Sequence, residues 1–293
     1  MSLINYKTKK FRVLPYILLL PALIFILSFY VAPLIYHLIL SFTDRTLIKK
    51  EINPVYLKNY LLLLKDRFFW KSLFNTFLFI TISGTFQLAL AVLTAFFIRG
   101  KTARIISVII LVPWAISEIS VSIVWRLLLT DGTGGLNGLL SIFKIKPQLW
   151  LIKPALAFLS ISLAQAWRLF PLIYLILKTG IYTIPKDIID ISRIECLNRR
   201  SIIFKVYVPI MRKIFLISIL IILIRNFRAF TLIFSLTGGG PLRATELITM
   251  YIYREAFIYH NIARASAASV VILLIYSIAV YLYLKIKKGR AFA

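Results

Sequence analysis

Six stretches of the chain are almost continuously apolar: roughly residues 15–40, 72–98, 105–128, 153–177, 213–236 and 262–284. Each is long enough to cross a bilayer core as a helix, which takes about 20 residues. In lipid the backbone has no water partner, so helices satisfy it internally. The runs are unbroken and do not show the ten-residue alternation of an outer-membrane barrel. The pattern predicts an all-α membrane protein with six transmembrane helices. A basic tail (1–14) precedes a single membrane domain (15–284), and a second basic tail (285–293) follows it. The run at 15–40 is too long for the apolar core of a signal peptide and no small-residue cleavage site follows, so it reads as a retained first helix.

The polar gaps carry a sign. Segments 1–12, 99–104, 178–213 and 285–293 hold 19 Lys and Arg against three acids, Asp187, Asp190 and Glu195. The alternate segments 43–71, 129–153 and 237–261 hold 12 basic and six acidic residues. The positive-inside rule then puts both termini in the cytoplasm. In the first outer gap, Tyr56, Leu57, Tyr60, Leu61, Leu64 and Phe68 recur at helical spacing. They predict an amphipathic interfacial helix with Lys58 and Lys65 turned to water and Trp70 in the interfacial belt.

Composition agrees: 60% of residues are hydrophobic and 16% charged, where a soluble domain sits nearer 45–50% and about 25%. The net charge of +26 is spread through the gaps rather than gathered on a solvated face, which argues against nucleic acid as the partner. A lone cysteine, Cys196, excludes a disulfide framework or CxxC site, and His37 and His260 lack metal-ligand spacing. Gly100-Lys101-Thr102 is a fragment of a P-loop, but Ala95 stands where the first glycine belongs and a membrane helix precedes it. Gly132-Thr133-Gly134-Gly135 reads as an outer turn.

The inner segment 178–213 is long for a connector. Thr183-Ile184-Pro185-Lys186-Asp187 carries helix-start signals, and Pro209 is a breaker. Ile188, Ile191, Ile194, Ile202, Ile203 and Val206 recur at helical spacing, with charges at Asp190, Arg193, Arg199 and Arg200. Asn198 tolerates a left-handed turn, so two short helices with a break near 196–198 are predicted. On this pattern alone the hairpin is either a docking surface or a strip resting on anionic lipid.

Asp190-Ile191-Ser192, with Cys196 six residues on and Val208-Pro209 closing the segment, resembles the EAA loop of ABC-importer permeases. Asp190 stands for that family's Glu, Cys196 for its Gly, and Arg193-Ile194-Glu195 for its Arg-Ile-Asp. Leu20-Pro21-Ala22, Leu40-Ser41-Phe42-Thr43-Asp44, Asn75-Thr76, Val112-Pro113-Trp114, Leu236-Thr237-Gly238-Gly239-Gly240-Pro241 and Ala265-Ser266-Ala267 follow in the order seen in the sugar-type branch. The resemblance implies the ABC-importer permease fold, with 183–209 as the coupling loop. It implies that this chain forms half of a translocation pathway, with a second, homologous permease, two ATPase subunits and an extracellular solute-binding protein as partners. ATP and Mg would sit on the ATPases, so the chain itself would be neither an enzyme nor a cofactor holder, and the solute would be a sugar or polyol. Asp190 would pair with a basic residue of the ATPase, Ile194 and Ile203 would pack in its cleft, and Arg193, Arg199 and Arg200 would lie at the rim. Cys196, Asn198 and Pro209 would shape the loop. An ion-coupled transporter and a membrane scaffold are the rival readings.

Glu118 is the sole carboxylate within a predicted span. Arg168 lies in the fourth, and Arg225 and Arg228 share a face of the fifth. Such charges cost roughly 2.5–3.5 kcal/mol each at mid-span, so they face protein or water. They either line the pathway, with Gln165 and Trp167 beside a polyhydroxylated solute, or pair structurally; the structural role is favoured, with Glu118–Arg225 one candidate pair. Gln87, Asn75, Ser160, Ser162 and Asn226 are further polar groups within the runs.

Overall fold

The computed structural model describes residues 8–48, 51–98, 103–132, 134–195 and 198–289. Cys196, Thr133, Gly100-Lys101-Thr102, and the first and last residues of the two tails lie outside them. Among the described residues there is no strand, only an isolated bridge between Thr43 and Pro54. In chain order the helices are α1 (Thr8–Ile26), α2 (Ala32–Leu40), α3 (Lys58–Lys65), α4 (Arg67–Phe97), α5 (Ala103–Ala115), α6 (Glu118–Leu129), α7 (Gly135–Ile142) and α8 (Pro154–Tyr182). They continue as α9 (Lys186–Ile194), α10 (Arg199–Ile202), α11 (Val208–Ile210), α12 (Arg212–Phe227), α13 (Thr231–Thr237), α14 (Ile248–Tyr253) and α15 (Ile262–Gly289).

Four helices are long and apolar enough to cross a membrane: Pro15–Leu40, Arg67–Phe97, Pro154–Tyr182 and Ile262–Tyr281. Two further pairs qualify only together. Ile105–Ala115 and Glu118–Leu129 meet at 99°, and Ile203–Ile210 and Arg212–Phe227 at 69°. The run 105–128 is therefore not one straight helix. Pro113 sits in the last turn of α5, and Ser117 Oγ accepts from the Ser120 N–H at 3.1 Å, so α6 starts afresh with its own N-cap. The run 213–236 likewise divides: α12 stops at Phe227, and α13 restarts at Thr231. At the other run ends, α8 continues five residues past 177, and α4 begins five residues before 72.

Two of the π turns absorb prolines. Leu27–Val31 joins α1 to α2 just before Pro33, and Ile203–Tyr207 joins α10 to α11 just before Pro209. A proline lacks the N–H of a regular turn and its ring crowds the carbonyl four residues back. A widened turn accommodates both defects, and the helix passes through Pro209 to end two residues later at Met211 (φ −82°, ψ 7°).

The chain divides into two compact units. The first comprises residues 1–66 and 252–277. In it the Ala263 N–H donates to the Arg45 carbonyl at 3.0 Å and the Leu47 N–H to the His260 carbonyl at 2.8 Å. His37 Nδ1 lies 3.0 Å from Ser266 Oγ. The Arg264 guanidinium bonds Asp66 and lies 3.6 Å from Glu255. On α3 the buried stripe is Asn59 and Leu63, with Asn59 Nδ2 donating to the carbonyls of Ser41 (2.9 Å) and Thr43 (2.7 Å). Leu57, Leu61 and Leu64 stay exposed, as an interfacial face would.

The second unit comprises residues 67–251 and 278–293. Its α4 and α8 pack along their length, with α5, α6, α12 and α13 around them. One cluster gathers Phe79, Val121, Phe158, Ile161, Leu232 and Ile233. A second gathers Phe96, Ile173, Tyr174, Leu177, Tyr207, Met211 and Ile222. Lipid is as apolar as leucine, so helix association here relies on close packing through small residues. Gly84 shows this: a Cβ built there would stand 2.8 Å from Ile222 Cγ2. At Gly180 a Cβ would collide with the Ile214 side chain and come within 3.0 Å of Met211 Cε.

Candidate functional site: a hairpin and a charged break in the bundle

The hairpin is rooted on one side and exposed on the other. Ile184 and Ser192 are buried and Ile189 packs against the second cluster. The opposite face of α9 carries Ile188, Ile191 and Ile194 at three-residue spacing, all exposed, with Ile194 80% exposed. Asp190 is exposed between them. Asn198 Oδ1 accepts from the Ser201 N–H at 2.8 Å, which makes it the N-cap of α10, a role not read from the sequence. Tyr207 is buried edge-on against Phe96 of α4, ring centres 5.4 Å apart, and ties the hairpin to the bundle. Ile203 is half-buried against this chain's own second cluster. Its neighbour Phe204 is 71% exposed and was not singled out from the sequence. Pro209 is exposed in α11, Arg193 lies on α9 and Arg199 opens α10.

Inside the bundle, the restart of the broken helix sets the charge. Glu118 is the first residue of α6 and pairs with Arg168 Nη2 of α8 at 3.0 Å. The partner is Arg168, not Arg225. The Arg168 side chain is 13% exposed and that of Glu118 34%. A carboxylate in the first helical turn also meets the positive end of the helix dipole. Arg225 is exposed and near enough to repel the Arg168 charge; Arg228, exposed as well, caps the end of α12.

Beside them, three buried amides from three helices converge. Asn226 Oδ1 of α12 accepts from Gln87 Nε2 of α4 at 3.0 Å and from Gln165 Nε2 of α8 at 3.3 Å. No local pattern could pair Gln87 with Asn226 across 139 residues. Trp167 is half-buried and meets Trp125 edge to face at 6.2 Å. Among the described residues, no group of three His, Cys, Asp or Glu side chains could hold a metal.

The segment after α13 is pinned from α4. Asn75 Nδ2 donates to the carbonyls of Ala244 and Glu246, each at 3.1 Å. Lys71 Nζ donates to the Leu242 carbonyl at 3.1 Å. The Arg243 guanidinium lies 3.9 Å over the Phe68 ring and 3.4 Å from Glu246 Oε2. These contacts hold Leu242 and Arg243 at φ 48° and 59°, a left-handed backbone that non-glycine residues adopt at a cost.

Residues 87–289, which include the hairpin and the charged break, match the family of binding-protein-dependent transport system inner membrane components. The chain belongs to this family. It is similar to the trehalose/maltose transport system permease protein of Thermococcus litoralis, 29% identical over 99% of this chain and 97% of that one. It is also similar to the sn-glycerol-3-phosphate transport system permease protein of Agrobacterium fabrum, 26% identical over 90% and 91%. Its fold matches a chain of a bacterial ABC transporter that imports the acidic polysaccharide alginate, with a TM-score of 0.76 at 21% identity over 94% and 97% of the two chains. As an inner membrane component it thus has the helical permease fold, and the Val208-Pro209 spacing and the glycine-rich segment at 238–240 both fall inside the matched region.

Proposed function

We propose that this permease forms one half of the translocation pathway of an ATP-driven importer for a sugar or polyol, beside a second permease, two ATPase subunits and an extracellular solute-binding protein. The observation that carries the reading is the exposed apolar face of Ile188, Ile191 and Ile194, on a helix whose other face is seated in the core. An apolar stripe with Asp190 beside it suits a cleft in a soluble partner. A relative that covers nearly the whole chain serves trehalose/maltose transport, which supports the solute class. Both termini and the hairpin lie in the cytoplasm in this reading, and each bent helix pair counts as one of six crossings.

ATPase closure would push on the hairpin, and Tyr207 against Phe96 would pass the movement to α4. Ile194, Ile191 and Phe204 would enter the cleft, and Asp190 would meet a basic group there. Arg193 and Arg199 would line the rim. ATP and Mg would be held by the ATPases. The commitment of Glu118 to Arg168 removes the one intramembrane carboxylate an ion-coupled carrier would need, which favours the importer over that rival.

The test is ATP hydrolysis by the complete transporter in proteoliposomes, with its binding protein and a sugar panel. Hydrolysis stimulated by loaded binding protein, and lost in Ile194→Asp, is the expected result. Uptake driven by an ion gradient without ATP would overturn the reading.

A further inference from the structure

We propose that the carried solute is an anion, a sugar or polyol bearing a phosphate, carboxylate or sulfonate group that Arg225 and Arg228 engage. This rests on the importer reading above and narrows it. The argument is one of charge balance. The six apolar runs contain one carboxylate, Glu118, and its charge is matched by Arg168 at 3.0 Å. Of the other cations in the runs, Arg264 is paired with Asp66 and Glu255, and Arg126, Lys153 and Lys213 lie near run ends; Arg225 and Arg228 remain at mid-run. They lie in the middle of the apolar run 213–236, three residues apart, and both are exposed. Among the described residues neither has a carboxylate within ion-pair distance.

A guanidinium keeps its proton in a protein, so these positive charges cannot be shed by titration. Arg225 moreover works against Arg168, so the region holds more positive charge than its own residues compensate. A neutral sugar offers hydroxyl dipoles only and leaves the imbalance in place. An anionic group matches the guanidinium fork with paired, charge-assisted hydrogen bonds. The partly exposed Glu118–Arg168 pair, on which the Arg225 charge acts, supplies polar groups for the remainder of such a molecule. Arg225 and Arg228 are thus assigned as specificity-determining residues.

The test uses the complete transporter with its native partner subunits and binding protein in proteoliposomes. ATP-dependent uptake is compared for matched pairs: glycerol and glycerol 3-phosphate, glucose and glucuronate, glucose and glucose 6-phosphate. The expected result is at least tenfold faster uptake of an acidic member than of its neutral counterpart. Arg225→Gln with Arg228→Gln should abolish that preference, and Arg225→Lys with Arg228→Lys should retain most of it. Uptake of neutral members alone overturns the inference and leaves the importer reading intact. Equal slowing of both classes by the Gln variants, with loss of subunit assembly, also overturns it, because the guanidiniums would then pair with the second permease. Absence of ATP-dependent uptake in every pair, with no ATPase response to the binding protein, overturns both.

Discussion

Arg168 of α8 holds Glu118 at 3.0 Å, and in doing so fastens the restart of a broken helix to the middle of a continuous one. Glu118→Gln strands a mostly buried guanidinium. Loss of a fully buried partner costs about 3–5 kcal/mol. With Glu118 34% exposed, roughly 2 kcal/mol is expected, read as a lowered unfolding temperature of the purified complex in detergent. The double variant Glu118→Gln/Arg168→Met should recover most of the loss, because it removes both charges.

Asn226 serves two amides at once. Asn226→Leu leaves Gln87 Nε2 and Gln165 Nε2 buried without their acceptor, at about 1–3 kcal/mol for each stranded group. Changing all three residues to leucine or methionine should destabilise less than Asn226→Leu alone. Thermal unfolding of the two variants side by side decides it.

Gly84 and Gly180 mark close approaches of α12 to α4 and α8. Gly180→Val should cost about 1–3 kcal/mol through overpacking and lower the yield of folded protein. Combining it with Ile214→Ala, which clears the nearest side chain, should restore part of the loss.

On the hairpin, exposed residues should matter for coupling and not for folding. Ile194→Asp and Asp190→Arg are expected to change stability by no more than about 0.5 kcal/mol. Both should sharply reduce binding-protein-stimulated ATP hydrolysis. Asn198→Ala removes an N-cap and should loosen α10 by about 1 kcal/mol, seen as faster amide exchange at Ser201.

The membrane-scale plan was legible because lipid imposes a length and a composition on any segment that crosses it. Four of the six runs correspond to unbroken helices. The two that break do so for reasons a hydropathy pattern averages away: Ser117 capping a new helix, and a restart at Thr231 after Arg228. The break between α9 and α10 was read from Asn198, though its cap to Ser201 depends on backbone geometry that composition does not carry. That Ile188, Ile191 and Ile194 share a helix face followed from their spacing. Whether Ile203 or Phe204 faces outward did not, because a π turn at Ile203–Tyr207 shifts the helical phase just there. The partner of Glu118 was missed for a similar reason: the 99° bend decides which arginine it meets.

The amide of Asn75 reaches the backbone of Ala244, 169 residues later in the chain, so the shape of that segment is stored elsewhere in the gene than the segment itself. Exchanging residues 238–246 between related permeases would transplant the letters and not the conformation unless Lys71 and Asn75 travelled with them. Chimeras made to swap this segment should therefore be cut as two matched pieces.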